Sequence, residues 1–164
     1  MAQHGVVRTD KMMGTQVAPY LLSGKYVVSE ADTAIDNGMA VVIGDEIARD
    51  VYSLSTPAAD SAKNKIGLVA SPEWMDDERK QNLTEFYNEA GDIVRVYKLH
   101  EGDIFSVTAD CLANATPEKG QIVELAAGTK WNNVGEATSK STVIGKIIAK
   151  EVVNSLTYFV IQVG

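Results

Sequence analysis

The chain has 164 residues, 45% hydrophobic and 23% charged, a globular composition sufficient for one domain or two very small ones. Acidic residues outnumber basic ones, 22 against 15, for a formal charge of -7. That is the wrong sign for a whole-protein nucleic-acid binder, whose affinity comes from neutralising phosphates. The single cysteine, Cys111, excludes an internal disulfide and suits a reducing compartment. The N-terminus has no apolar core of a signal peptide, and no run approaches the roughly 18 to 20 apolar residues that cross a bilayer, so neither secretion by a leader nor a membrane span is expected.

Residues 1–23 read as an extended N-terminal arm. They follow no period of 2 or 3.6 and place His4, Arg8 and Lys11 beside Met12 and Met13 in an otherwise acidic protein. From residue 24 the chain reads as short strands. Lys25-Tyr26-Val27-Val28 is β-branched and aromatic, Asn37-Gly38 is a turn pair, and Ala40-Val41-Val42-Ile43 follows it. Residues 55–64 are a polar loop before Ile66-Gly67-Leu68-Val69-Ala70. Ser71-Pro72-Glu73 is a helix-start signal, and Met75, Leu83, Phe86, Tyr87 and Ala90 fall on one helical face, which predicts an inserted helix over about 72–90. Strands then resume at 93–99, 104–108, 122–125, 143–152 and 158–163. Phe105 and Val107 alternate with Ser106 and Thr108, which predicts one wet face, and Phe159, Ile161 and Val163 share a face.

The strands repeat. Gly24–Ser29 answers Gly102–Thr108 with a one-residue slip, Gly38–Ile43 answers Gly120–Leu125, and Tyr52 answers Trp131. Ile66-Gly67-Leu68-Val69-Ala70 answers Ile144-Gly145-Lys146-Ile147-Ile148-Ala149, and Val94–Tyr97 answers Phe159–Val163. Four short strands cannot bury both faces alone, so two copies, 24–99 with the helical insertion and 102–163, are expected to close over a shared core. The fold class is mainly β: a small β-barrel or β-sandwich in one domain, 24–164, preceded by the arm. Gly67 and Gly145 inside strands fit tight curvature or close backbone approach.

Candidates for chemistry are sparse. His100 with Glu101 or Asp103 could form a general base, but the segment also reads as a polar hairpin turn, and no nucleophile motif accompanies it. Cys111 has no base beside it in sequence and reads as a small buried hydrophobe. Asp76-Asp77-Glu78 lacks the alternation and glycine of a calcium loop. Metal-ligand spacings and phosphate-cradling glycine loops are absent. Tyr52, Trp74 and Trp131 could be a sugar platform or packing residues. The expectation is therefore a non-enzymatic protein without cofactor or metal, working by its surface.

Four segments together resemble the head auxiliary proteins of tailed bacteriophages, also called capsid decoration or cement proteins. They are Lys11-Met12-Met13-Gly14-Thr15, Asp36–Gly44, Gly102–Val107 and the closing Tyr158-Phe159-Val160-Ile161-Gln162-Val163. The resemblance spans most of the chain through short motifs; the inserted helix sets it apart from the simplest small-barrel members. It implies a structural virion protein, made in the host cytoplasm, that binds the outer surface of the assembled head and bridges major capsid protein subunits. It also implies a homo-oligomer, commonly a trimer, with no catalytic residues to carry over and neither nucleic acid nor membrane as partner. The arm residues His4, Arg8, Lys11, Met12 and Met13 are the expected capsid contacts. A tail-tube or head–tail joining protein is the alternative, for which no long ring-contact hairpin is evident in the sequence. A carbohydrate-binding module using Trp74 or Trp131, and a thiol hydrolase around Cys111 and His100, are remoter readings.

Overall fold

The computed structural model describes residues 4–12, 20–74 and 84–164. In chain order the strands are β1 (Val7–Lys11), β2 (Leu21–Val28), β3 (Ala31–Asp32), β4 (Ala40–Ala48), β5 (Val51–Ser55), β6 (Ile66–Val69), β7 (Ile93–Lys98), β8 (Ile104–Val107), β9 (Ile122–Glu124), β10 (Asn132–Val134), β11 (Val143–Val153) and β12 (Leu156–Val163). Strands β2-β5-β4-β6-β7 form a sheet that closes through a β2–β7 pairing into a five-strand barrel, with β3 on its edge. The other strands form an open sheet in the order β1-β8-β12-β11-β9-β10. Among the described residues no helix is long and apolar enough to cross a membrane.

The two cores follow from strand alternation. Tyr26, Met39, Val41, Leu54, Val69, Val94 and Val96 fill the barrel. Their neighbours Ala40, Ile66, Leu68 and Tyr97 point outward and pack with Phe105, Val123, Trp131, Ile144, Ile147, Phe159, Ile161 and Val163 of the open sheet. Strand β6 is therefore buried at every residue, which explains its unbroken apolar run. The shared face expected for Phe159, Ile161 and Val163 is the buried one. The wet face expected beside Phe105 and Val107 is covered at both polar positions: Ser106 is 7% and Thr108 3% exposed. The Thr108 hydroxyl accepts the Val6 N–H at 3.2 Å, so a polar side chain is buried with its partner supplied from far along the chain.

The repeat is present in the topology. The pairings β2–β7, β7–β6, β6–β4 and β4–β5 correspond, in order and all antiparallel, to β8–β12, β12–β11, β11–β9 and β9–β10. The register agrees as well. Gly67 lies opposite Val41 and Lys98, and Gly145 lies opposite Val123 and Val163. Gly38 and Gly120, which open the two equivalent strands, both have positive φ, +83° and +98°. At the first strand the expected alignment shifts. Val94 opposes Gly24 while Phe159 opposes Val107, so Leu21-Leu22-Ser23-Gly24, not the residues after Gly24, take the place of Ile104–Val107. One pairing has no counterpart: β5 closes the first copy by running parallel to β2, whereas in the second copy the free edge of β8 is taken by β1, antiparallel.

That placement corrects the reading of an arm. Residues 7–11 are a strand of the open sheet, Val6 and Met12 at its ends are each 2% exposed, and Leu21–Ser23 already belong to the barrel. The segment has no obvious period because it is short and its register with β8 slips between Arg8 and Lys11. The inserted helix is corrected where it can be compared. Residues 75–83 lie outside the described residues, but 72–74 are not helical, Thr84 and Glu85 form a turn, and Asn88 bridges Ile35 in extended pairing. The Asn88 amide donates to the Ile35 carbonyl at 2.9 Å and to Asn37 Oδ1 at 3.2 Å. Those long-range hydrogen bonds compete successfully with the local helical pattern.

Candidate functional site

Each described residue of the expected contact set is tied into the fold to a different degree. His4 Nδ1 donates to the Asp36 carboxylate at 3.1 Å, and its ring stacks on Tyr87 with centroids 4.9 Å apart. Arg8 lies 3.2 Å from Glu151 on β11 and 5.8 Å from the Tyr158 ring centroid on β12. Both ion-paired side chains are more than a third exposed, 38% and 48%, so the pair positions β1 more than it stabilises the fold. Lys11 is exposed, Met12 is core and Met13 lies outside the described residues. Arg8, Lys11, Ile104, Ser106, Glu151 and Val160 line a shallow depression on the solvent side of the open sheet.

Burial raises the Tyr158 hydroxyl above its ordinary value, Arg8 pulls it back, and Glu73 adds to the rise. Trp74, the residue after Glu73, is 78% exposed. Beyond Arg8 and Tyr158 the β11–β12 hairpin continues outward. Lys150 to Ser155 are exposed, with Val152 at 70%. This is the long hairpin that the sequence did not reveal, because its strands carry little alternation after the register shift between Ile147 and Ala149.

The residue types that could do chemistry are otherwise engaged in holding loops. His100 Nδ1 donates to the Lys98 carbonyl at 3.0 Å and its ring lies 3.7 Å from that of Tyr20, while Asp103 accepts the His100 backbone N–H at 2.9 Å. This is the turn reading of that segment. Cys111 is fully buried, and burial first, then the Asp110 and Asp36 charges, push its thiol up to about 12. A thiol so protected is no nucleophile at neutral pH. Trp131 is 0% exposed, packs at a tilt against Phe105 with ring centroids 5.4 Å apart and donates its indole N–H to the Gly38 carbonyl at 2.7 Å, so it is a core residue and no sugar platform. Asp76, Asp77 and Glu78 lie outside the described residues, and among the described residues no three His, Cys, Asp or Glu side chains converge as metal ligands.

The structure adds one residue that the sequence did not single out. Glu124 on β9 is 0% exposed and accepts hydrogen bonds from Asn132 at 2.9 Å and the Thr138 backbone at 2.8 Å. Burial alone would raise its carboxyl, but the Thr138 and Asn132 hydrogen bonds outweigh it and hold the group below its ordinary value. It pins the loop between β10 and β11. Its position in an apolar strand, Ile122-Val123-Glu124-Leu125, is the only local sign of that burial.

Compared with protein-family models, curated proteins and solved structures, the chain matches none.

Proposed function

We propose that this chain is a structural virion protein that binds the outer surface of an assembled phage head, bridging major capsid protein subunits and stabilising the shell. The observation that carries the reading is Trp74, a tryptophan left 78% exposed. Tryptophan, tyrosine and arginine are the residues that dominate protein–protein hot spots, and exposing an indole to water is unfavourable unless a partner covers it. The resemblance in the four segments supplies the kind of partner. Of the contact set expected from the sequence, Lys11 is exposed, Arg8 pairs with Glu151 and Met12 is buried in the core.

The docked β1 makes simple truncation of the N-terminal segment uninformative. Removing residues 1–22 deletes β1 with the buried Val6 and Met12 and cuts into β2, so lost binding would report lost folding. The informative experiment is co-sedimentation of the intact protein with purified empty heads, wild type against Trp74→Ala. Wild type is expected to bind saturably and the variant at least about tenfold more weakly, the size of a hot-spot truncation. Absence of wild-type binding, or equal binding by the variant, overturns the reading.

A tail-tube or head–tail joining role is the second reading, and the projecting β11–β12 hairpin favours it, because such hairpins make ring contacts. Rings of the isolated protein in electron micrographs, without head binding, would select it.

A further inference from the structure

The solvent face of the open sheet carries one unbroken cross-strand row. Lys11 lies opposite Ile104, Ile104 opposite Gln162, Gln162 opposite Lys146, Lys146 opposite Ile122, and Ile122 opposite Val134. Directly opposed residues share a face, so one row crosses all six strands: Lys, Ile, Gln, Lys, Ile, Val. At about 4.8 Å per strand it is roughly 24 Å long, with its lysines about 14 Å apart. Lys11, Gln162 and Lys146 are exposed, and Ile104, Ile122 and Val134 are half-buried. A flat row that alternates cations with aliphatic side chains asks for a partner alternating carboxylates with an aliphatic anchor.

The same chain carries that complement. Strand β4 pairs with β6 only through Ala40, Val41 and Val42, and from Gly44 through Asp50 every residue of the β4–β5 hairpin is exposed. This projection presents Asp45, Glu46 and Asp50 around Ile47, which is 53% exposed. Arg49 is the one cation in the stretch; it and Asp50 are 97% and 92% exposed and 3.9 Å apart, too solvated to neutralise the hairpin. The acidic hairpin belongs to the barrel and the basic row to the other sheet, so the two surfaces lie on different parts of one molecule.

We propose that the acidic β4–β5 hairpin of one copy docks on the Lys11–Lys146 row of a second copy, with Ile47 against Ile104, the aliphatic residue between the two lysines. The contact is head-to-tail, and a pair of copies retains one free surface of each kind unless a ring closes. It does not depend on what larger structure the protein binds.

The test uses the full-length protein in sedimentation velocity, from about 1 μM to 0.1 mM, at low and high salt. Wild type is expected to associate with concentration at low salt and to weaken about tenfold or more at high salt. Lys11→Glu with Lys146→Glu, and separately Asp45→Lys with Glu46→Lys, are each expected to weaken self-association at least about tenfold, because like charges then face each other. Mixing the two variants is expected to restore association, since each again meets its opposite. All four positions are exposed, and an unchanged circular dichroism spectrum confirms folding; Ile47→Asp tests the anchor independently. A wild type that stays monomeric throughout, reversal variants that associate like wild type, or a mixture that fails to rescue would each overturn the proposal. Monomers that still co-sediment with heads would overturn it and leave the head-binding reading standing.

Discussion

Gly145 sits in β11 between Val123 and Val163, and the chain leaves no room for a side chain there. A Cβ at this position would lie 2.0 Å from the Gln162 carbonyl oxygen, 2.8 Å from its carbon and 3.0 Å from Val163 Cα. Ordinary contacts need about 3.5 Å, so Gly145→Ala must drive β12 back by more than about 1 Å in a sheet whose strands are only about 4.8 Å apart. Backbone atoms cannot rotate away. Overpacking costs about 1–3 kcal/mol and two strained ladder hydrogen bonds about 1 kcal/mol each, against about 0.5–1 kcal/mol gained by restricting the unfolded chain. The expected net loss is about 2–4 kcal/mol. Its counterpart Gly67 is different: a Cβ there meets Val96 Cγ1 at 2.3 Å and Ile43 side-chain atoms at 3.1 and 3.3 Å, groups that can repack. Gly67→Ala is expected to cost about 1–2 kcal/mol. Gly135→Ala, with nothing within 4 Å, serves as a control within about 0.5 kcal/mol of wild type. Urea denaturation at constant m-value measures all three, with a melting shift of about 2–4 °C per kcal/mol. A Gly145 variant as stable as wild type, or one less affected than Gly67→Ala, would refute the argument from backbone contact.

Two further outcomes follow from buried groups. The Glu124 carboxyl is held below its ordinary value in the folded state, so it contributes stability above that value and the contribution is lost as pH falls through it toward the lower folded value, from about pH 4–5 downward. Glu124→Gln is expected to cost about 1–3 kcal/mol at pH 7 and to flatten the loss of stability between pH 6 and 3; an unchanged slope in urea titrations across that range would contradict it. With its thiol pushed up to about 12, Cys111 is expected to resist a thiol-specific chromogenic reagent at pH 8 and to react only at the rate of unfolding; prompt stoichiometric labelling of the native protein would contradict that.

The amino-acid sequence by itself determined the β class, the spacing of most strands and the duplicated pattern. These live in signals of period 2 and in turn glycines that a strand carries wherever it packs, as Gly38 and Gly120 show by their common positive φ. It also showed that Cys111 and Trp131 have no chemical company along the chain, and both lie in the core. What only the tertiary structure decided is who pairs with whom across long separations. The residues before Val7 and after Met12 do not reveal that β1 leaves its neighbour β2 and joins β8, about a hundred residues on, in the place that β5 fills in the first copy. Nor does the apolar spacing around Phe86 disclose that Asn88 gives its hydrogen bonds to Ile35 and Asn37. The candidate surfaces were the least legible of all. A row such as Lys11-Ile104-Gln162-Lys146-Ile122-Val134 takes its members from six strands, and its order exists only once the register is set. Local propensity specifies the strand, whereas edge pairing and surface composition are set by long-range hydrogen bonds and by the burial that brings distant strands together.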